Sequence, residues 1–265
     1  MQRDRVCLFI VCGLGVGYGA SSARADDRRL VFSDEARVTP PGLVEFEHWT
    51  TWQTHTKDES DFNQFNFREE LEFGINKSTQ IGVEVPAWHI TTGPDDEKDG
   101  PRFDHVAVDV RHIFLDPVSE DLGVGAKVEV GASEEEVFVE GKLILQKNWD
   151  KTELVYNAFA EAAWETTDEG RYEEANGEVG QSLGVSYEAQ ERLFVGAELL
   201  HEVPLPSWDS GEDQNLFVGP NLSYHGSPFS EKGDNWAVTV APLFLVTGGD
   251  EEPRLQLRFV FEIEF

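Results

Sequence analysis

Beyond residue 25 the chain has no cysteine, because Cys7 and Cys12 both lie in an apolar N-terminal stretch. That absence excludes a disulfide framework, a thiolate nucleophile and a cysteine-ligated metal from the rest of the chain. Positive charge is also scarce, with 21 Lys and Arg against 51 Asp and Glu. Setting aside residues 1–25 removes Arg3, Arg5, Arg24 and Asp4. This leaves 21 − 3 = 18 basic and 51 − 1 = 50 acidic residues, a formal charge of −32. Such a chain cannot neutralise a phosphate backbone, so nucleic acid is excluded as a partner. Docking on anionic lipid heads through a basic patch is excluded as well. After the N-terminal stretch no run of about 18 apolar residues occurs, so no helix is expected to span a membrane.

The N-terminal stretch itself reads as a secretory signal. Arg3 and Arg5 form a positive region, Val6 to Ala20 is apolar and rich in glycine, and Ala23-Arg24-Ala25 fits a small-x-small cleavage site. Residues 1–25 are thus expected to be a signal peptide and residues 26–265 a single domain. Cys12 sits inside the apolar run without small residues just before it, which argues against lipoprotein processing.

What is present in the remainder is alternation. In Pro253–Phe265, Leu255, Leu257, Phe259, Phe261, Ile263 and Phe265 alternate with Gln256, Arg258, Val260, Glu262 and Glu264. A period of two gives a strand with one apolar and one polar face, whereas a helix would scatter the same residues around its circumference. The same pattern predicts eleven more strands: Leu43–Thr54, Asn63–Ile75, Thr79–Ile90, Phe103–Leu115, Leu122–Ala132, Val137–Lys147, Thr152–Thr166, Ala175–Glu188, Leu193–Val203, Asn215–His225 and Trp236–Thr247. Gly, Pro, Asp and Asn clusters separate them.

Alternation does not say which face is outside. A soluble sandwich buries its apolar face; a membrane barrel turns it to lipid and keeps the polar face in the lumen. An even strand count favours the barrel, and so does the character of the connections. With the N-terminus in the periplasm, the outward connections include His55–Phe62, Gly93–Arg102, Thr167–Glu174, Pro204–Gln214 and Gly248–Pro253, most of them acidic, while the inward ones include the tight turns Asn76–Ser78 and Asn148–Lys151. Two connections break the rule: the one near Ser133 is short and Gly226–Asp234 is long. The expected fold is therefore all-β, a transmembrane antiparallel up-and-down barrel of about twelve strands. Pro86, Pro220 and Pro242 fall inside predicted strands, where each removes a ladder donor. A local bulge is expected where Pro220 and Pro242 face each other. Glu69 and His112 fall on the predicted lipid face, which implies a register shift there or a position near an interface.

Motifs that would carry chemistry are nearly absent. Asp95-Asp96-Glu97-Lys98-Asp99-Gly100 begins like a calcium loop, but position 12 is Val106 where a bidentate Glu is needed. His201-Glu202 lacks the second histidine of a zincin helix. His105 and His112 point to opposite faces, and His89 and His105, which can approach across one hairpin, read as a polar pair. His225-Gly226-Ser227 has the His-x-Ser spacing of outer-membrane phospholipases, but it lies in a turn with no asparagine placed to orient the histidine. No catalytic residue, cofactor or metal is expected.

Two segments carry a resemblance. The terminal strand ending in Phe265 resembles the C-terminal signature of outer-membrane barrels, which implies that it is read by the barrel assembly machinery. The stretch Glu70-Leu71-Glu72-Phe73-Gly74-Ile75-Asn76-Lys77-Ser78-Thr79-Gln80-Ile81-Gly82-Val83-Glu84-Val85-Pro86 is similar to a hairpin of the phenol-degradation (MetA-pathway) transporter family. Through Pro41–Trp49, Glu178–Gly184 and Phe217–Pro220 the whole chain resembles an uncharacterised family of such barrels. The resemblance implies the outer membrane of a Gram-negative bacterium, reached by export to the periplasm, and supplies no catalytic residues.

If the apolar faces meet lipid, the lumen is acidic. Its expected lining is Glu70, Glu72, Glu84, Asp109, Glu129, Glu140, Glu161, Glu178, Glu198 and Glu262, with Glu45, Glu47, Glu153, Glu165 and Glu264, against the cations Arg68, Arg111, Lys127, Lys142 and Arg258. Rings of acids favour cations. The sequence therefore points to a small pore or transporter for small solutes or cations, ahead of a non-conducting structural or ligand-binding barrel and, further behind, a lipid hydrolase.

Overall fold

A computed structural model describes residues 28–92, 100–134, 136–166, 172–208, 214–226 and 235–265. The leader predicted at residues 1–25 and the loop with Asp95–Asp99 lie outside the described residues. Apart from the short 3-10 turn Pro206–Trp208, the described elements are all strands: β1 (Val44–Thr54), β2 (Asn63–Asn76), β3 (Thr79–Glu84), β4 (Trp88–Thr92), β5 (Pro101–Phe103), β6 (Val106–Leu115), β7 (Gly123–Ala132), β8 (Glu136–Trp149), β9 (Thr152–Thr166), β10 (Tyr172–Gln190), β11 (Leu193–Leu205), β12 (Asn215–His225), β13 (Trp236–Thr247) and β14 (Leu255–Glu264). Each pairs antiparallel with its neighbour, and β1 pairs with both β2 and β14, so the sheet closes. Both β3 and β4 pair with β2, and β5 and β6 continue one another in the same way, so the fourteen segments make a closed barrel of twelve strands.

Closure is what lipid demands. Every backbone N–H and C=O in hydrocarbon needs a partner, and a closed ring leaves no edge. The inversion of faces follows. On β6, Ala107, Asp109, Arg111 and Ile113 are buried while Val106, Val108 and Val110 are 42–49% exposed. Exposed Val128, Val130, Leu143, Leu183, Val195, Leu222 and Phe259 continue the apolar outer surface. Aromatic side chains mark the two rims of this band, with Trp52 stacked on Phe65 and Phe67 on Trp88 towards the longer connections, and exposed Trp149, Tyr187 and Tyr224 towards the tight turns.

Pro86 is not inside a strand. It falls in the break between β3 and β4, where Val85 and Ala87 on either side donate to the Glu69 and His105 carbonyls, so its missing N–H leaves no gap in the ladder. The expected bulge at Pro220 and Pro242 does not form. Val218 pairs with Phe244 and Leu222 with Val240, so the register is the same on both sides and the two prolines stand directly opposite, in a stretch without ladder pairs. The irregularity on this strand pair lies instead at Leu216/Phe217.

Glu69 and His112 do face outward, without a register shift. Glu69 accepts from His48 Nδ1 at 2.9 Å, and His48 Nε2 lies 3.1 Å from Thr50 Oγ1. His112 Nδ1 lies 2.9 Å from Thr79 Oγ1. Lateral pairing, rather than register, removes the cost of these polar groups beside lipid.

Candidate functional site

The lumen is filled by the chain's own N-terminal segment, residues 28–41. This segment has no regular secondary structure, so its backbone needs partners from elsewhere. The barrel wall supplies them in reverse strand order. The Arg28 carbonyl accepts from Ser223 on β12 and Thr239 on β13. Val31 and Phe32 N–H donate to the two oxygens of Glu198 on β11 at 2.9 and 2.7 Å. Ser33 Oγ meets Ser182 Oγ on β10 at 3.0 Å, and Asp34 N–H donates to Asn157 on β9 at 2.7 Å. Ala36 N–H donates to Gln146 on β8, and Thr39 N–H to Gln80 on β3. The segment therefore winds around the inside of the wall. Phe32 packs against Leu200, Phe217 and Leu243, and Val31 against Trp49, Ala241 and Val260. Val260, which the alternation assigns to the polar face, thus points inward as an apolar contact for the plug.

The root of the plug is stiff. Pro40-Pro41 leads into Gly42, whose φ of 84° suits glycine, and Gly42 N–H donates to the Gly74 carbonyl. Gly74 has to be glycine here, since a Cβ would lie 2.1 Å from the Pro40 carbonyl oxygen.

Charge organises the rest. The structure places all the acids predicted for the lumen on the inward face, and its register aligns most of them. Glu264, Glu45, Glu72, Gly82, Asp109, Glu129, Glu140, Glu161 and Glu178 are direct cross-strand neighbours on successive strands from β14 through β1 to β10. Because the strands tilt, this row climbs from the tight-turn end at Glu45 to the half of β10 nearer the longer connections. A shorter parallel row runs Glu262, Glu47, Glu70, Glu84. Directly opposed like charges destabilise a sheet, so counter-charge has to be present.

It comes from two sources. On β6 to β8 the wall carries a second row, Arg111, Lys127 and Lys142, one step from the acids; Lys127 reaches Glu129 at 2.8 Å and Lys142 reaches Glu140 at 3.3 Å. Near the tight-turn end the plug supplies it. Arg28 lies 3.2 Å from Glu47, and Arg37 lies 3.1 Å from Glu262 and 3.8 Å from Glu45. Asp34 on the plug answers the wall's basic row, 3.1 Å from Arg111 and 2.8 Å from Lys142. Burial alone would raise the Asp34 pKa, but Lys142, Lys127, Arg111 and Arg28 together hold it well below the ordinary carboxylate range, so it stays ionised.

Glu161 and Glu178, higher on the row, have no cation within ion-pair distance among the described residues. Glu161 lines a cavity of about 400 Å³ above the plug, with Glu129, Glu136, Trp49, Arg68 and His105. Arg258 forms part of its floor. It donates to Thr51 and to the Val31 carbonyl and stacks 4.1 Å from the Phe32 ring, with no carboxylate within ion-pair distance among the described residues. His89 and His105 do not converge: the first bonds Asp104, and the second lies 2.8 Å from Glu84. His225 is buried in the lumen against Phe194 with Ser223 at 3.1 Å, out of reach of outer lipid.

Sequence reasoning left open whether the lumen is plugged but did not assign residues 28–41 to it, and so missed Arg28, Asp34 and Arg37. One compositional signal pointed to it: Arg28, Arg29 and Arg37 cluster in a chain poor in cations.

No curated protein sequence matches the chain at a significant level. Among solved structures, the NanC porin aligns over 84% of this chain and 98% of its own, with a TM-score of 0.50 and 9% identity. LpxR from Salmonella typhimurium aligns over 83% and 99%, with a TM-score of 0.45 and 8% identity. OccK2 from Pseudomonas aeruginosa aligns over 86% and 99%, with a TM-score of 0.31 and 8% identity. The first of these shows a shared fold, that of an outer-membrane-type barrel, and nothing finer. The profile of a family of unknown function, DUF6662, matches residues 22–258, and the chain belongs to that family.

Proposed function

We propose that this barrel is a pore for small cations that rests closed, with residues 28–39 as its plug. The reading is carried by one observation: a file of carboxylates, interrupted only at Gly82, climbs the wall, and at its foot Glu45 and the neighbouring Glu47 and Glu262 are held by two guanidinium groups tethered to the plug. Arg28 and Arg37 stand where mobile cations would stand if the plug withdrew. The uncompensated Glu161 and Glu178 form the outer approach. In this reading residues 1–25 direct export, the protein sits in the outer membrane of a Gram-negative bacterium, and the strand ending in Phe265 is its handle for the assembly machinery. Catalysis and cofactors play no part. The likeness of the β2–β3 hairpin to phenol-degradation transporters is compatible with passage of small solutes.

The absence of cysteine after residue 25 allows a direct test. Ser33→Cys with Ser182→Cys replaces two hydroxyls 3.0 Å apart, one on the plug and one on the wall. In planar bilayers the reduced double variant should open intermittently under voltage. The oxidised form should be silent, and reductant should restore openings. Equal conductance in both forms would mean that the plug is not the gate. A barrel that stays silent in every form would be the non-conducting alternative.

Selectivity gives a second test. Under a salt gradient the reversal potential of the open state should favour cations. Glu161→Lys and Glu178→Lys should each move it towards anions, because neither carboxylate is already neutralised by a neighbour. An unmoved reversal potential would remove these residues from the path.

A further inference from the structure

Asp109 is the anomaly of the acidic row. It is 3% exposed, and its carboxylate has no hydrogen bond or ion pair among the described residues. A buried unpaired carboxylate is costly, and the cost is removed by a counter-ion or a proton. The side chain points at the one step of the row that has no carboxylate, Gly82. A Cβ on Gly82 would lie 1.7 Å from Asp109 Oδ2 and 2.4 Å from Glu70 Oε1. These two oxygens are therefore at most 4.1 Å apart, the sum of the two distances, and both reach into the space that glycine leaves open.

Glu70 in turn belongs to a tight group. One oxygen each of Glu47, Glu70 and Glu72, all buried, lie within 4.8 Å of one another. Two oxygens bound to one calcium ion at about 2.4 Å cannot be more than about 4.8 Å apart, so this spacing matches convergence on a single ion. The neighbouring cations do not complete the set. Arg68 approaches Glu70 only to 3.7 Å and is shared with Glu84 at 3.4 Å. Arg111 approaches Glu72 to 3.8 Å while bonding Asp34 at 3.1 Å. Arg28 is divided among Glu47, Asp34 and Glu262. Four carboxylates thus face three guanidinium groups that are each shared with another acid, and Asp109 feels Arg111 and Lys127 only from beyond ion-pair distance.

We infer that Glu47, Glu70 and Glu72 form a binding site for a hard divalent cation beside Gly82, with Asp109 adding its charge at the edge through its approach to Glu70. The donors are all oxygen, which excludes the softer transition metals as the preferred occupant. Their irregular spacing suits calcium, which takes six to eight oxygens flexibly, better than magnesium, which demands a near-ideal octahedron. The site joins β1, β2 and β6 across β3 at the level where the plug enters. It goes beyond the gated-pore reading and does not depend on it, because a resident ion would fix the wall whether or not other cations pass.

The test uses the refolded barrel of residues 26–265 in detergent, stripped with a chelator and titrated calorimetrically with calcium chloride. One calcium per barrel should bind, and it should raise the temperature at which the folded band is lost on unboiled gels. Glu70→Gln should weaken binding by at least about tenfold because it removes a charged ligand, and Asp109→Asn should weaken it because it removes a negative charge within 4.1 Å of Glu70. Glu161→Gln, on the same row but far from Gly82, should bind calcium like the wild type. Absence of calcium binding to the stripped wild type would overturn the site, as would unchanged binding in Asp109→Asn. If Asp109→Asn instead stabilised the stripped barrel while calcium did nothing, the carboxylates would be sharing a proton and the site would again be refuted.

Discussion

Removal of residues 28–39 should convert a barrel that is silent at rest into one that conducts continuously. Twelve strands enclose more space than the eight whose interior side chains fill, and less than the sixteen of an open porin. Here that space is taken by the plug. Leu30, Val31 and Ser33 are at most 1% exposed, and Phe32 packs against Leu200, Phe217 and Leu243. Taking the segment away leaves the wall intact, because no ladder pair of the barrel includes it. It also strips Glu45, Glu47 and Glu262 of Arg28 and Arg37. Those carboxylates then repel one another, so refolding yield should fall at low ionic strength and recover at high salt, where screening is stronger. The measurement is conductance in planar bilayers beside heat-modifiability on gels. A folded, inserted deletion variant that does not conduct would end the pore reading. The oxidised Ser33–Ser182 lock reads the same question on the full plug should the deletion variant fail to fold.

The second large effect concerns the outer face of the last strand. Phe259 is 38% exposed, faces lipid and stands opposite Thr50 on β1 and Val240 on β13. An arginine near the middle of the hydrocarbon band costs roughly 2–4 kcal/mol. Phe259→Arg should therefore lower the amount of folded protein in outer-membrane fractions severely. Its inward neighbour behaves differently. Arg258→Gln removes the bond to the Val31 carbonyl and the stacking on Phe32, so its effect should be a looser plug in a barrel that still assembles. Equal yields from the two variants would mean that the faces have been assigned the wrong way round.

The wall was legible in the sequence because its signal is local. Val106, Val108 and Val110 against Asp109 and Arg111 need only a period of two to be sorted, and the same count puts Glu129 and Glu140 on the inward faces of adjacent strands, which the register then pairs directly. The plug was illegible because nothing in it is periodic. Its partners lie 123 residues away for Asp34 and Asn157, and 167 for Val31 and Glu198. Acids read as lining the lumen, such as Glu198, are in large part acceptors and counter-charges for the plug. The proline positions were misjudged for a different reason. Pro86 ends a strand segment rather than interrupting one, and Pro220 opposite Pro242 lets both strands lose donors at the same level without slipping.

The barrel closes and the plug is anchored at one point. Val44 and Phe265 exchange two backbone bonds, of 3.1 and 2.9 Å, and Leu43, one residue before Val44, pairs with Gly74 at the root of the plug. A bulky label on Phe265 would crowd the base of the segment that fills the lumen, and one on the buried Arg28 would have to share the lumen. For anyone labelling this protein, Arg28 and Phe265 are poor attachment points. The surface connection Thr56–Asp61 on the opposite rim, where Lys57 is 57% exposed, offers a site remote from both.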